Sequence, residues 1–175
     1  MKKKVKLSLP NKKYALSYLK GEKEFQAENT VMASGGSINL FKSISDFPVY
    51  HKILEERRKG INLKKGKVPS TQYWAVVGNK VVGRLSLRHR LNKALAIMGG
   101  HIGYAIVPSE RRKGHGTEIL RLGLEKAKKL GIKKALLTCD EKNIGSRKII
   151  EANGGILINK IKENDIIKRR YWISF

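Results

Sequence analysis

Apolar residues recur along this chain in two periods, and the switches between them mark out its elements. Val5-Lys6-Leu7-Ser8-Leu9 alternates like a half-buried strand and stops at Pro10. Tyr14, Ala15, Tyr18 and Leu19 share one helical face, with Gly21 as the expected stop. Residues 33–37, Ala-Ser-Gly-Gly-Ser, read as loop. From about Asp46 to Lys59, Phe47, Tyr50, Ile53 and Leu54 form a helical stripe. Ser45 or Asp46 can cap that helix, Pro48 fits its first turn, and Gly60 ends it. Two β-rich runs, Tyr73–Val77 and Lys80–Leu87, flank Gly78-Asn79, a two-residue hairpin signal. His101 to Val107 is a further strand, closed by Pro108. A helix with Ile119, Leu120, Leu122, Leu124, Ala127 and Leu130 as its apolar positions then runs to Gly131. Ala135–Thr138 is a short buried strand, a second helix spans about Asn143 to Asn153, and residues 156–161 and 170–175 form a final antiparallel pair. The order predicts an α/β fold: a mixed, mostly antiparallel central sheet with helices on both faces.

Composition narrows the class. At 175 residues, 41% of them apolar and 30% charged, the chain is long enough to bury one core, and residues 1–175 read as a single domain. No apolar run approaches the ~20 residues that span a bilayer, nor is there a signal-peptide-like stretch near Met1. Cys139 is the only cysteine, which excludes an internal disulfide and a multi-cysteine zinc site. A cytoplasmic protein without a metal is expected. The net charge is +24, carried as +7 in residues 1–60, +7 in 61–110 and +10 in 111–175. A field this strong attracts polyanions in a salt-dependent way. Spread so evenly, it implies at most non-specific contact with nucleic acid.

The chemistry concentrates where the strand ending at Val107-Pro108 feeds Arg111-Arg112-Lys113-Gly114-His115-Gly116-Thr117. Free N–H groups at a helix start, a partial positive charge and glycines together make an anion site. On those residues alone, a tight turn with solvated basic side chains is the favoured reading, because neither a P-loop ending nor a three-glycine spacing is present. The pattern Arg111-x-x-Gly114-x-Gly116 after a Val-Pro strand end resembles the acetyl-coenzyme A signature of the GNAT superfamily of N-acetyltransferases. The later run, Asn143 opening a helix that ends at Gly154-Gly155, resembles the family's second motif.

That resemblance implies a GNAT fold and direct transfer of acetyl from acetyl-CoA to a primary amine. The backbone of Ile106 and Val107 would pair with the pantetheine arm, and one of their N–H groups would polarise the thioester carbonyl. N–H groups from Arg112 to Thr117 would hold the pyrophosphate, and Asn143 and Ser146 would approach the pantetheine or sulfur. Asn143 equally suits a plain N-cap. Where many relatives place a tyrosine acid, this chain has Ile150. A non-catalytic acyl-CoA-binding sensor and a basic nucleic-acid-associated protein are the competing readings. For the amine's proton, His101 is the candidate base, with a structural strand histidine as the slightly favoured alternative; His89, in phase with Leu85 and Leu87, reads as a packed histidine. Glu110 and His115 stand too near the phosphates, and Cys139 reads as a packed thiol rather than a nucleophile.

Overall fold

The computed structural model describes residues 4–28, 41–163 and 165–175, so the glycine–serine stretch at 33–37 lies outside the described residues. The strands are β1 (Lys6–Ser8), β2 (Ser70–Val77), β3 (Lys80–Arg88), β4 (Ile102–Ile106), β5 (Lys134–Asp140), β6 (Ile156–Glu163) and β7 (Ile166–Ser174). The helices are α1 (Ala15–Ala27), α2 (Phe47–Lys59), α3 (Lys93–Ile97), α4 (His115–Lys129) and α5 (Ile144–Ala152). The predicted α/β layering is realised as two antiparallel sheets: β1-β2-β3-β4 and β5-β7-β6.

Helices cover both faces. On one side α4 packs Ile119, Leu120, Leu124 and Ala127 against Leu85, Leu87 and Ile102, in a core that continues through Leu137 and Tyr171. On the other, α1 and α2 close over Trp74 with Tyr18, Phe41, Phe47 and Tyr50. The Tyr18 and Trp74 rings stack at 4.3 Å between centroids. Stacked pairs of this kind contribute ~0.5–1.5 kcal/mol beyond the area they bury.

Gly21 does not end α1 as the sequence suggests. The helix runs through it to Ala27, and a Cβ at Gly21 would stand 2.8 Å from a methyl of Val107. The glycine is a packing notch that brings α1 onto the strand end following β4. Gly60 does end α2, in a left-handed conformation at φ 77°. The five-residue α3, capped by Asn92 accepting from the Leu95 amide at 2.9 Å, was not foreshadowed by the hydrophobic pattern.

Candidate active site

The two sheets meet at one point. His101, just before β4, donates its amide to the Leu136 carbonyl of β5 at 2.7 Å, and the Leu136 amide donates to His101 Nδ1 at 3.0 Å. Gly99 adds an amide bond to Thr138 Oγ1 at 3.1 Å. Gly100 between them has φ +63°, and a Cβ there would collide with the Leu136 carbonyl oxygen. Beyond this vertex the described residues of β4 and β5 belong to separate sheets. The inner edge of β4 is therefore unpaired. The antiparallel register with β3 decides which groups face the gap. Val107 donates to Val82 O at 3.0 Å and His101 O accepts from Arg88 at 2.8 Å. Alternation then turns the N–H and C=O groups of Tyr104 and Ile106 toward the gap. The expectation that Val107 N–H serves a ligand is thus corrected, since β3 consumes it; of the two expected N–H groups, that of Ile106 faces the gap.

At its end β4 leads through Pro108–Glu110 into the basic turn. Arg112 at φ +63° and Gly114 at φ +79° bend the backbone so that α4 begins at His115. Gly114 brings no side-chain cap, which leaves the first-turn N–H groups available, and open space surrounds its Cα. Gly116 is required for another reason: a Cβ there would strike Ile149 of α5. Glu110 anchors the turn, drawing in Lys80, Lys113 at 3.1 Å and the His115 ring at 3.6 Å. Burial opposes its ionised form, but the hydrogen bonds from Lys80 and Lys113 outweigh that and hold its carboxyl below the usual value. Arg111 turns to Glu28, with two bonds at 2.8 and 3.0 Å, and to Ile106 O. Among the sequence-predicted cationic groups, Arg112 and Lys113 remain beside the α4 start.

α5 flanks the gap. Asn143 caps it, its Oδ1 accepting from the Ser146 amide at 2.9 Å, and Ser146 Oγ stands 2.9 Å from the Tyr104 hydroxyl. Burial raises the Tyr104 pKa well above its ordinary range, so the phenol keeps its proton. A hydroxyl pair thus bridges β4 and α5.

A model of the acetyltransferase (GNAT) domain matches residues 37–156, most of the chain. This chain belongs to the GNAT acetyltransferases. Membership brings acetyl-CoA with it as the acetyl donor. Solved structures share the fold at low identity. RimJ of Mycobacterium smegmatis in complex with CoA-disulfide superposes at TM-score 0.73 with 16% identity, covering 97% of this chain and 81% of that one. The ribosomal-protein-S5-alanine acetyltransferase of Vibrio fischeri gives 0.71 and 13%, with 97% and 92% covered. The microcin self-immunity acetyltransferase MccE, in complex with acetyl-CoA and AMP, gives 0.66 and 16%, with 98% and 92% covered. No curated protein matches the sequence significantly.

Against this GNAT frame the residues fit a donor of that shape: an uncapped helix start for phosphates, and an unpaired strand edge for an extended amide chain. The tyrosine position is truly vacated, because Ile150 lies in the core at 1% exposure. Cys139 is buried, and desolvation with Asp140 beside it pushes its thiol up to about 11, which leaves it protonated at neutral pH. His89 donates or accepts with Thr71 Oγ1 at 2.8 Å, a packed histidine. His101 is 8% exposed, and the ring lone pair on Nδ1 is taken by the Leu136 amide. Among the described residues no group of three or more His, Cys, Asp or Glu is placed to hold a metal, and no helix is long and apolar enough to cross a membrane.

Two features of this GNAT site escaped the sequence reading. Tyr104 looked like a plain strand residue, although its spacing two before Ile106 puts it on the same strand edge. The other is a buried pair on the α1 side, Arg84 Nη1 to Glu22 Oε1 at 2.7 Å, with the Tyr18 hydroxyl at 3.2 Å. Arg84 stands across from Ala105 in the register, so the pair lies one strand from the gap. Desolvation raises the Glu22 pKa despite Arg84.

Proposed function

We propose that residues 1–175 form one acetyl-CoA-dependent N-acetyltransferase domain that delivers acetyl to a primary amine by direct attack. One observation carries the reading: the unpaired inner edge of β4 leads, through Pro108–Glu110 and one basic turn, to the uncapped start of α4. Phosphates are held by N–H groups from Arg112 to Thr117, helped by Arg112 and Lys113. The pantetheine amides pair with Ile106 and Tyr104, and the Ile106 N–H polarises the thioester carbonyl. Asn143 and Ser146 line the α5 side. The CoA and acetyl-CoA bound in the structural relatives support the same donor. A cytoplasmic setting belongs to this reading.

In the reaction the amine nitrogen bonds to the acetyl carbon and gives up one proton to water. The carbon–sulfur bond breaks with its electron pair on sulfur, which takes up one proton. Ile150 cannot give that proton and the buried Tyr104 phenol holds its own too firmly to supply it, so the thiolate takes it from solvent. His101 is better suited to holding β4 and β5 together than to general base catalysis, since its free lone pair is already engaged.

The test is Gly114→Asp. The new carboxylate meets no neighbouring atom at the α4 start, where it competes with phosphate, although any side chain at φ +79° carries some backbone strain. The folded variant is expected to bind acetyl-CoA at least about tenfold more weakly by calorimetry. Unchanged affinity, or a wild-type chain that releases no thiol from acetyl-CoA with any amine in a broad panel, would overturn the reading.

A further inference from the structure

On the face of β3 and β4 turned to α1 and α2, Ser86 stands across from Gly103, and Arg88 across from His101. The small residues Gly103 and Ala105 leave this face of β4 open. Beside it lies a cavity of about 530 Å³, with Ser86 and Arg88 among its lining residues and α2 and residues 61–68 contributing to its walls. Asn92 Nδ2 bonds Gly66 O at 2.8 Å and the His89 amide bonds Pro69 O at 2.9 Å, which joins the segment after β3 to those walls.

The charge here is one-sided. Residues 57–67, Arg-Arg-Lys-Gly-Ile-Asn-Leu-Lys-Lys-Gly-Lys, and residues 88–93, Arg-His-Arg-Leu-Asn-Lys, contain no acid. Glu55 nearby is taken by Arg58 at 2.7 Å, and among the described residues Glu56 is the only carboxylate lining the cavity. Lys64, Lys65, Lys67, Arg90 and Lys93 make no ion pair with a described residue. Between these cations the walls are apolar, with Ile61, Leu63, Val68 and Leu95.

We propose that this cavity seats an acidic segment of a polypeptide acceptor and so delivers the acceptor's amine to the open face of β4. The inference rests on the acetyltransferase reading and names the acceptor's class. Unpaired cations around the rim attract carboxylates and repel a basic chain. The apolar walls take side chains such as leucine. Among the described residues no aromatic lines the cavity, so these offer no platform on which nucleic-acid bases could stack. The phosphate-binding turn follows β4 whereas Arg88 pairs with the residue before it, so donor and acceptor occupy opposite ends of the strand.

The experiment uses the full chain and three probes: a fluorescent Glu/Leu-rich peptide with a free N-terminus, its Gln/Leu counterpart, and a single-stranded RNA of matching charge. The acidic peptide is expected to bind tightest and to stay bound when acetyl-CoA is added. Lys64→Glu/Lys67→Glu is expected to weaken it by about tenfold or more. Lys128→Glu/Lys129→Glu on α4 changes net charge equally and is expected to leave affinity within about twofold. Acetyl-CoA affinity stays unchanged in both variants. Equal losses in the two variants, displacement of the peptide by acetyl-CoA, or tighter RNA binding lost through Lys64 and Lys67 would overturn the proposal. If acetyl-CoA binds and the peptide results fail, only this inference falls; if acetyl-CoA itself does not bind, the acetyltransferase reading falls with it.

Discussion

A neutral imidazole at His101 accepts the Leu136 amide proton, while a protonated one would set N–H against N–H. Burial, with Arg88 nearby, accordingly depresses its pKa below the ordinary 6.5. The sign follows. Above pH 6.5 the ring is neutral in both the folded and unfolded chain, and its contribution is complete. As pH falls through 6.5 the unfolded chain takes up a proton that the folded ring resists, so stability drops toward the folded pKa. His89 shifts the same way, from desolvation first and Arg58 second. His101→Ala is expected to cost ~1–3 kcal/mol at pH 8 by urea unfolding, for the orphaned Leu136 amide. It should also flatten the acid slope between pH 7 and 5 relative to wild type. A base would behave otherwise: the variant's stability would hold while the acidic limb of its rate profile disappeared.

At the scale of elements, the vertex and the gap depend on Gly100. Gly100→Ala forces a side chain onto the Leu136 carbonyl at a positive φ, with no flexible group to yield. We expect a loss of about 3 kcal/mol or more, seen as a lower denaturant midpoint, with weaker acetyl-CoA binding in whatever remains folded. How far this was legible from sequence varies with the range of the contact involved. The hairpin at Gly78-Asn79 and the α4 stripe up to Ala127 are local patterns, and each formed where its residues indicated. Leu130 is exposed, and the Asp46 carboxylate accepts from the Lys42 and Ser43 amides before α2 rather than capping α2 itself. Arg112 to Thr117 formed a turn into α4 because strand, turn and helix are contiguous there, and Asn143 caps the helix that begins at the next residue. His101 could not be read, because its partner is 35 residues away in another sheet. Gly21 misled because a glycine within a helix looks the same in sequence whether it stops the helix or makes room for Val107. The Arg84–Glu22 pair joins two elements 62 residues apart and left no spacing signal at all.

For the molecule as a whole, the net charge of +24 becomes two local fields at opposite ends of one strand, around the phosphate-binding turn and around the cavity beside Ser86 and Arg88. Exposed charges separated by more than ~10 Å are largely screened at 0.1 M salt. Raising salt from low to physiological levels should therefore slow acetyl-CoA association several-fold in stopped-flow measurements, while dissociation changes much less. The unpaired inner edge of β4 also sets a clock for its own amides. Tyr104 and Ile106 face the gap, whereas Ala105 and Val107 are turned to β3. Hydrogen exchange along β4 should therefore beat with a period of two, fast at the even positions and slow at the odd ones. Acetyl-CoA should erase that beat by slowing Tyr104 and Ile106 alone. In a cell, the chain's resistance to opening at this seam would then rise and fall with its donor's supply, coupling its lifetime to the cell's carbon state.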